Sequence, residues 1–155
     1  MATFIRIEGI SEVKSELAAF KRYINDPDTI EVGMEQIKKF HDQNFLKQGS
    51  PKKWKPLSAE TESARQKRSG YYKKSPAGGG GILAWTGNLR DNNTVNVRAG
   101  EGIFAKNAPY AEYHQEGGGK LPKREVLPSD PRMSVEIVKA ITERISDFIV
   151  RRGFA

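Results

Sequence analysis

This chain has few residues suited to nucleophilic, acid–base or metal chemistry, because it contains two histidines and no cysteine. His41 falls on the apolar stripe of a predicted helix. We interpret it as a packed structural histidine, because a lone histidine lacks the further ligands that a metal ion needs. A catalytic His114 would need a nucleophile and an orienting acid within reach. Nothing in the sequence brings Ser129 and Asp130 to it, so the pattern does not favour a hydrolase.

Patterns that bind phosphate or divalent cations are also missing from the sequence. The glycine run at 78–81 continues into Ile82 and Leu83, without the lysine and hydroxyl residue of a phosphate-binding loop. No acidic cluster has the spacing of an EF-hand or of a two-metal site. We therefore expect a protein that is not an enzyme and that needs no cofactor.

Charge is concentrated in one stretch, residues 47–74. It holds nine basic and two acidic residues, so it carries +7, the net charge of the whole chain. Such a stretch attracts polyanions or an acidic protein face. The candidate contacts are Lys52, Lys53, Lys55, Lys67, Arg68, Lys73 and Lys74.

Aromatic residues lie between these lysines, which leaves two interpretations open. Trp54, Tyr71 and Tyr72 could stack on bases while the lysines meet phosphates, as in a nucleic-acid-binding module. Alternatively, Trp54 anchors a core or an interface and the lysines are simply solvated. We favour the second interpretation, since no helix-turn-helix pattern accompanies the basic stretch.

Length and hydropathy indicate one soluble domain over residues 1–155. A chain of 155 residues fits one core, and no apolar run approaches the roughly 20 residues of a membrane span. Residues 1–8 alternate in hydropathy and do not resemble a signal peptide. We expect a non-secreted protein without a membrane partner, and the absence of cysteine suits a reducing cytoplasm.

Periodicity predicts an α+β fold, in which a small antiparallel sheet packs against two or three long helices. Helices are predicted at 11–24, 28–48, 58–68 and 131–150, with Asp26 capping the second and Ser129 or Asp130 capping the last. Strands are predicted at 3–8, 94–98 and 103–106, with an edge strand at 121–127 and a short helical turn at 109–115. Flexible loops rich in glycine and lysine are expected at about 67–81 and 117–123.

Four motifs follow one another in a fixed order along most of the chain. They are Trp54-x-Pro56-Leu57-Ser58 with Thr61 and Arg65, Ile82-Leu83-x-x-Thr86-Gly87-x-Leu89, Tyr110-Ala111-x-x-His114-Gln115-x-Gly117, and Pro122-x-Arg124. This ordered set, over residues 30–150, resembles the phage virion morphogenesis family, whose members are tail-completion and head–tail joining proteins.

The resemblance implies a structural virion protein at the head–tail junction. It implies a ring of six copies of this chain that caps the tail tube and meets the head connector and neck proteins. The protein would be assembled in the host cytoplasm and reside at the neck of the virion. The basic stretch would line the lumen through which DNA passes or grip an acidic neighbour, and we favour the protein partner.

The motif residues are expected to act as interface or fold anchors. They are Trp54, Arg65, Thr86, Gly87, Tyr110, His114 and Arg124. Trp54 would pin a loop to the sheet, and Thr86-Gly87 would form a tight turn in which glycine takes a positive φ. Arg124 is suited to a bidentate contact with a carboxylate.

Overall fold

The computed structural model describes residues 10–67, 81–84, 86–127 and 129–152. Its elements, in chain order, are α1 (Ile10–Ile24), α2 (Pro27–Leu46), α3 (Ala59–Lys67), α4 (Asn88–Asp91), β1 (Asn93–Arg98), β2 (Glu101–Lys106), α5 (Ala111–Glu116) and α6 (Pro131–Arg151). The predicted α+β class is confirmed. Across the described ranges, every helix is too short or too polar to cross a lipid bilayer.

The two longest helices begin in the same way. Asp26 accepts a hydrogen bond from the amide of Asp28 before α2, and Asp130 accepts one from the amide of Arg132 before α6. A proline follows each cap, where its missing N–H costs nothing. The predicted cap of α2 is confirmed, and Asp130 is the cap of α6.

Helices α2 and α6 pack against each other at a glycine. A Cβ on Gly33 would lie 3.2 Å from Cδ1 of Ile141, so the absence of a side chain there allows α6 to approach closely. Helix α1 joins this pair through an aromatic contact, because the rings of Tyr23 and Phe148 stack with centroids 4.0 Å apart. The Tyr23 hydroxyl also donates to the Arg144 carbonyl.

The sheet is an antiparallel hairpin of β1 and β2. Its register runs from Asn93 opposite Lys106 to Arg98 opposite Glu101, and Gly100 takes a φ of 73° in the connecting turn. The predicted strands at 94–98 and 103–106 are confirmed and slightly longer than expected. The hairpin lies against α2, where a Cβ on Gly102 would collide with the Met34 side chain.

The predicted edge strand at 121–127 is wrong, because its backbone amides bond to α5 instead of a strand. The amide of Arg124 donates to the His114 carbonyl, and the amides of Val126 and Leu127 both donate to the Gln115 side chain. One bridge remains, between Gly118 and Leu121. The mobility predicted for 117–123 stays a prediction, and the strand at 3–8 and nearly all of the loop at 67–81 lie outside the described residues.

The hydrophobic core lies beneath the irregular segments, not between the long helices. Its members are Phe45, Trp54, Leu83, Ala84, Leu89, Ala108, Ala111 and Val126. In contrast, none of the residues of α6 is buried, although the helix is 21 residues long. The segments that carry the motifs therefore contain most of the buried apolar side chains of the described chain.

Candidate functional site

All four motifs meet at one groove with a volume of about 530 Å³. Its wall is formed by the loop after α2, by α3, by the segment around α4, and by α5 with the loop that follows it. The motif residues that line it are Pro56, Leu57, Ser58, Thr61, Arg65, Ile82, Leu83, Thr86, Leu89, Tyr110, His114, Pro122 and Arg124. Lys120 and Leu121 complete the lining, and we call this feature the motif groove.

Arg124 holds two walls of the motif groove together. Its side chain is 4% exposed, and its Nε and Nη2 atoms each donate over 2.9 Å, to the carbonyls of Lys55 and Pro56. Burial lowers the pKa of Arg124, and the charge of Arg65 lowers it further. Its partners in the described chain are main-chain oxygens, where the sequence had suggested a carboxylate.

Arg65 fastens α3 to the second motif. Its Nη1 and Nη2 atoms donate to the carbonyls of Gly81 and Ile82, at 3.2 and 2.8 Å. Burial lowers the pKa of Arg65, while the carboxylate of Glu62 opposes that change. Both motif arginines thus donate to backbone carbonyls at the groove.

Tyr110 and His114 lie one helical turn apart at α5, within the helical turn predicted at 109–115. Their rings are arranged edge to face with centroids 6.3 Å apart, and the Tyr110 hydroxyl accepts a hydrogen bond from the side-chain amide of Asn88. Burial, followed by the charge of Arg124, lowers the pKa of His114. Its Nδ1 atom is buried and has no hydrogen-bond partner among the described residues.

No hydrolytic constellation is assembled around His114 in the described ranges. Asp130, the acid considered from the sequence, hydrogen-bonds to Arg132 and Ser50 and does not line the motif groove. Across the same ranges, no three acidic or histidine side chains are grouped to hold a metal ion.

The Thr86-Gly87 turn opens α4 as expected. Gly87 is buried and takes a φ of 79°, a conformation that favours glycine, and its carbonyl accepts the first helical hydrogen bonds. Thr86 is exposed and lines the motif groove. The prediction of a positive φ at this glycine is confirmed.

Trp54 lies in the core and not in the motif groove. Its ring meets Phe45 edge to face at 5.2 Å, and its indole N–H donates to the Glu125 carbonyl over 3.1 Å. With 7% exposure, the ring has no free face for a nucleic-acid base. Trp54 thus packs on α2, whereas its expected contact with the sheet stays a prediction. Tyr71 and Tyr72 lie outside the described residues.

Four of the predicted polyanion contacts are described, and all four are exposed lysines: Lys52, Lys53, Lys55 and Lys67. The first three line a second cavity of about 540 Å³ together with Lys123. The other three candidates, Arg68, Lys73 and Lys74, lie outside the described residues. Contact with DNA or with an acidic partner stays a prediction.

One cluster near the groove was missed by sequence reasoning. Lys106 at the end of β2 donates to Nε2 of His41 at 2.5 Å and to the Leu89 carbonyl at 2.7 Å. Burial and the Lys106 charge lower the pKa of His41 to about 4, and burial lowers the pKa of Lys106 to about 7. His41 is 1% exposed, which confirms its predicted structural role.

The fold and the groove together define a small α+β protein whose four motifs are gathered around one surface. Residues 10–149 match the model of the phage virion morphogenesis family, so the chain belongs to that family. Membership gives it a structural role in the assembly of phage particles and makes it a virion-associated protein. No curated protein and no solved structure matches the chain significantly.

Proposed function

We propose that this protein completes the phage tail: it assembles as a ring at the head–tail junction, caps the tail tube and joins it to the head connector. The observation that carries the proposal is the large apolar side chains that the fold leaves exposed on its outer helices. Val13 and Leu17 on α1 are 59% and 61% exposed, and Val138 and Val150 on α6 are 63% and 64% exposed. Val13 and Leu17 also line one apolar groove with Phe20 and Ile149, and a contiguous apolar patch of this kind is typical of protein interfaces.

A ring follows naturally from such surfaces. Identical subunits that meet head to tail close into a ring when the rotation per subunit divides the circle. The proposed partners are further copies of this chain, in a ring of six, together with the tail tube protein and the connector or neck proteins. No catalytic step is required of any of them, and the protein would act at the neck of the virion.

Removal of the gene from the phage tests this function. We expect full heads and complete tails that remain separate, because nothing joins the connector to the tube. Supplying the wild-type protein from a plasmid should restore joined particles, which controls for effects on neighbouring genes. Electron cryomicroscopy of wild-type virions should show the protein as a ring at the neck, and its absence there would overturn the proposal.

Exposed lysines support a second candidate function, a basic module that binds nucleic acid. Lys52, Lys53, Lys55 and Lys123 surround one cavity, a favourable arrangement for phosphate groups. The free protein would then bind random-sequence duplex DNA with an affinity that falls steeply with salt. Weak binding at 150 mM salt, unchanged by Lys52→Glu, would exclude this candidate.

A further inference from the structure

The hairpin of β1 and β2 has an open edge in the part of the chain that the structure describes. Within those ranges β1 pairs with β2, and the sheet contains no third strand. The backbone groups on the outer edge of β1 make no hydrogen bond to the backbone of another described segment. Such an edge presents N–H and C=O groups that a further strand can bond.

The exposure of one valine selects the edge of β1 and not that of β2. Val95 lies opposite Phe104 in the register, so the two side chains share one face of the sheet. That face is turned towards α2, because the rings of Phe104 and His41 lie 5.2 Å apart between centroids. Val95 is nevertheless 47% exposed, so α2 does not cover the sheet as far as β1. A strand added beside β1 with apolar side chains on this face would cover Val95.

A segment with this pattern precedes α1 in the chain. Residues 3–8 are predicted to form a strand in which Ile5 and Ile7 share one face. With these two side chains turned towards α2, the strand would lie against Val95 while its backbone bonds to the open edge. The predicted strand and β1 also have the same length, six residues.

Helix α1 extends away from the hairpin. Helix α6 packs on Gly33 of α2 through Ile141 and on Tyr23 of α1 through Phe148, about two turns further along. The next residue of α6, Ile149, lines a groove with the first half of α1. Helices α2 and α1 therefore lie one after the other along α6, and the start of α1 is the end that lies farthest from α2.

This arrangement prevents residues 3–8 from pairing with β1 of their own copy. The tip of the hairpin lies where α1 ends, because the Gly100 amide donates to the Asn25 carbonyl. Residue 9 joins the opposite end of α1, about 22 Å away for 15 helical residues. Nine extended residues reach about 30 Å. About 8 Å, or roughly two residues, would therefore remain to pair with a strand of six.

We propose that residues 3–8 of one copy add to the edge of β1 in the next copy as a third strand. The contact is heterologous, since it joins two different surfaces, and its repetition generates the ring of the proposed function, on which this inference rests. Main-chain hydrogen bonds would supply affinity, and the packing of Ile5 and Ile7 on Val95 would supply specificity. Val13 and Leu17 follow the segment on α1, so they would lie close to the same neighbour.

Cross-linking between cysteines tests the pairing directly, because the natural chain contains no cysteine. Arg6 lies on the face of the segment opposite Ile5, and the exposed Asn96 lies on the face of β1 opposite Val95. The two residues would meet at the centre of the pair, whether the strands run parallel or antiparallel. Particles assembled with an Arg6→Cys, Asn96→Cys double variant and treated with a short bis-maleimide should give a ladder of multimers that ends at the size of the ring. The matched control, Arg6→Cys with Lys139→Cys, uses an exposed residue of α6 and should give no ladder.

A mixture of single variants identifies the copy that supplies the segment. Arg6→Cys and Asn96→Cys chains assembled together should give covalent dimers, whereas neither variant alone should. A bridge confined to single chains of the double variant, detected by peptide mass spectrometry, would place the segment on its own hairpin and overturn the proposal. A ladder in the Lys139 control would also overturn it, because residue 6 would then meet neighbours without selecting the hairpin.

The same particles separate this inference from the proposed function. If the protein is present at the neck as a ring but the cysteine pair gives no ladder, the strand addition is overturned and the ring remains. If purified particles do not contain the protein, the proposed function itself fails.

Proline substitution provides an independent second readout. Successive amides of a strand point to opposite edges, so Ile5→Pro with Arg6→Pro removes a donor to β1 in either register. We expect incorporation into particles to fall at least tenfold, while the urea midpoint of the isolated monomer stays unchanged because the segment pairs with another copy. Ile5→Val with Arg6→Thr keeps both amides and β-branched side chains, and it should be incorporated like wild type. A lower midpoint in the proline variant, or equal incorporation of the two variants, would contradict the proposal.

Discussion

The half of the molecule around the motif groove and the flank formed by α1 and α6 differ in how fully they bury their apolar side chains. Around the groove, irregular segments are packed over Trp54 and Val126, which are 7% and 1% exposed. Along the flank, no residue of α6 is buried, and its residues Val138 and Val150 are exposed to solvent. The difference indicates that the segments around the groove supply most of the buried apolar surface of the described chain, whereas the outer helices leave apolar side chains exposed.

Hydrogen bonding separates the two regions in the same way. The Glu125 carbonyl accepts hydrogen bonds from both Asn44 and Trp54, and the side chain of Gln115 serves two backbone amides. These contacts join positions more than ten residues apart in the chain and hold loops without regular structure. On the flank, the backbone of α6 is held by its N-terminal cap and by its own helical hydrogen bonds.

The largest effect is expected from Trp54→Ala. Loss of the ring that packs on Phe45 should lower the free energy of unfolding by about 3–5 kcal/mol, as a cavity opens in the core. Urea unfolding monitored by circular dichroism measures this change. Trp54→Phe keeps the ring and leaves the Glu125 carbonyl bonded to Asn44, so a loss of only about 1–2 kcal/mol is expected. Equal losses in both variants would contradict a packing role.

The second largest effect on stability is expected from Arg124→Ala. It leaves the carbonyls of Lys55 and Pro56 without their donor and should cost roughly 2–3 kcal/mol of stability. The same denaturant experiment applies. Arg98 pairs with Glu101 at the surface, and Arg98→Ala should change stability by less than about 0.5 kcal/mol. A similar loss of stability in the two variants would show that the buried hydrogen bonds of Arg124 contribute no more than a surface ion pair.

Lowering the pH should decrease the free energy of unfolding, because His41 is buried in the half of the molecule around the motif groove. Its folded-state pKa of about 4 lies below the ordinary value of 6.5, so the unfolded chain binds a proton first as pH falls. Stability is therefore lost between pH 6.5 and about 4, by on the order of 2 kcal/mol. Unfolding free energies measured across this range test the expected slope.

His41→Gln is the control for this pH dependence. Glutamine keeps an acceptor for Lys106 and does not titrate between pH 4 and 6.5, so most of the slope should disappear. A smaller slope of the same sign should remain from His114, whose pKa is also lowered. A variant with the full wild-type slope would show that His41 is not responsible.

The smallest effect on stability, and the sharpest test of the comparison, is expected from Val138→Ser. The side chain is 63% exposed, so unfolding should change by less than about 0.5 kcal/mol, while incorporation into particles should fall. Quantitative immunoblotting of purified particles measures incorporation. Leu46→Ser removes an 80% exposed apolar side chain from α2 and should leave incorporation unchanged. Equal incorporation of the two variants would break the contrast between the flank and the rest of the surface.

Local chemistry in the sequence determined most of the elements. Asp26 and Pro27 define the start of α2, and alternation around a glycine turn defines the hairpin. These features depend on residues a few positions apart, so short windows of sequence contain the information. The order of the four motifs likewise indicated the family, which the match over residues 10–149 shows.

Only the tertiary structure decided what those motifs do. It buried Trp54 in the core and turned Arg124 onto main-chain carbonyls 68 and 69 residues away. It also placed Lys106 against His41, 65 residues earlier, and directed the amides of the expected edge strand to α5. Periodicity marks α6 as amphipathic but does not report which apolar side chains the single chain covers. Such pairings depend on how distant segments pack, and burial then sets their hydrogen bonds and pKa values.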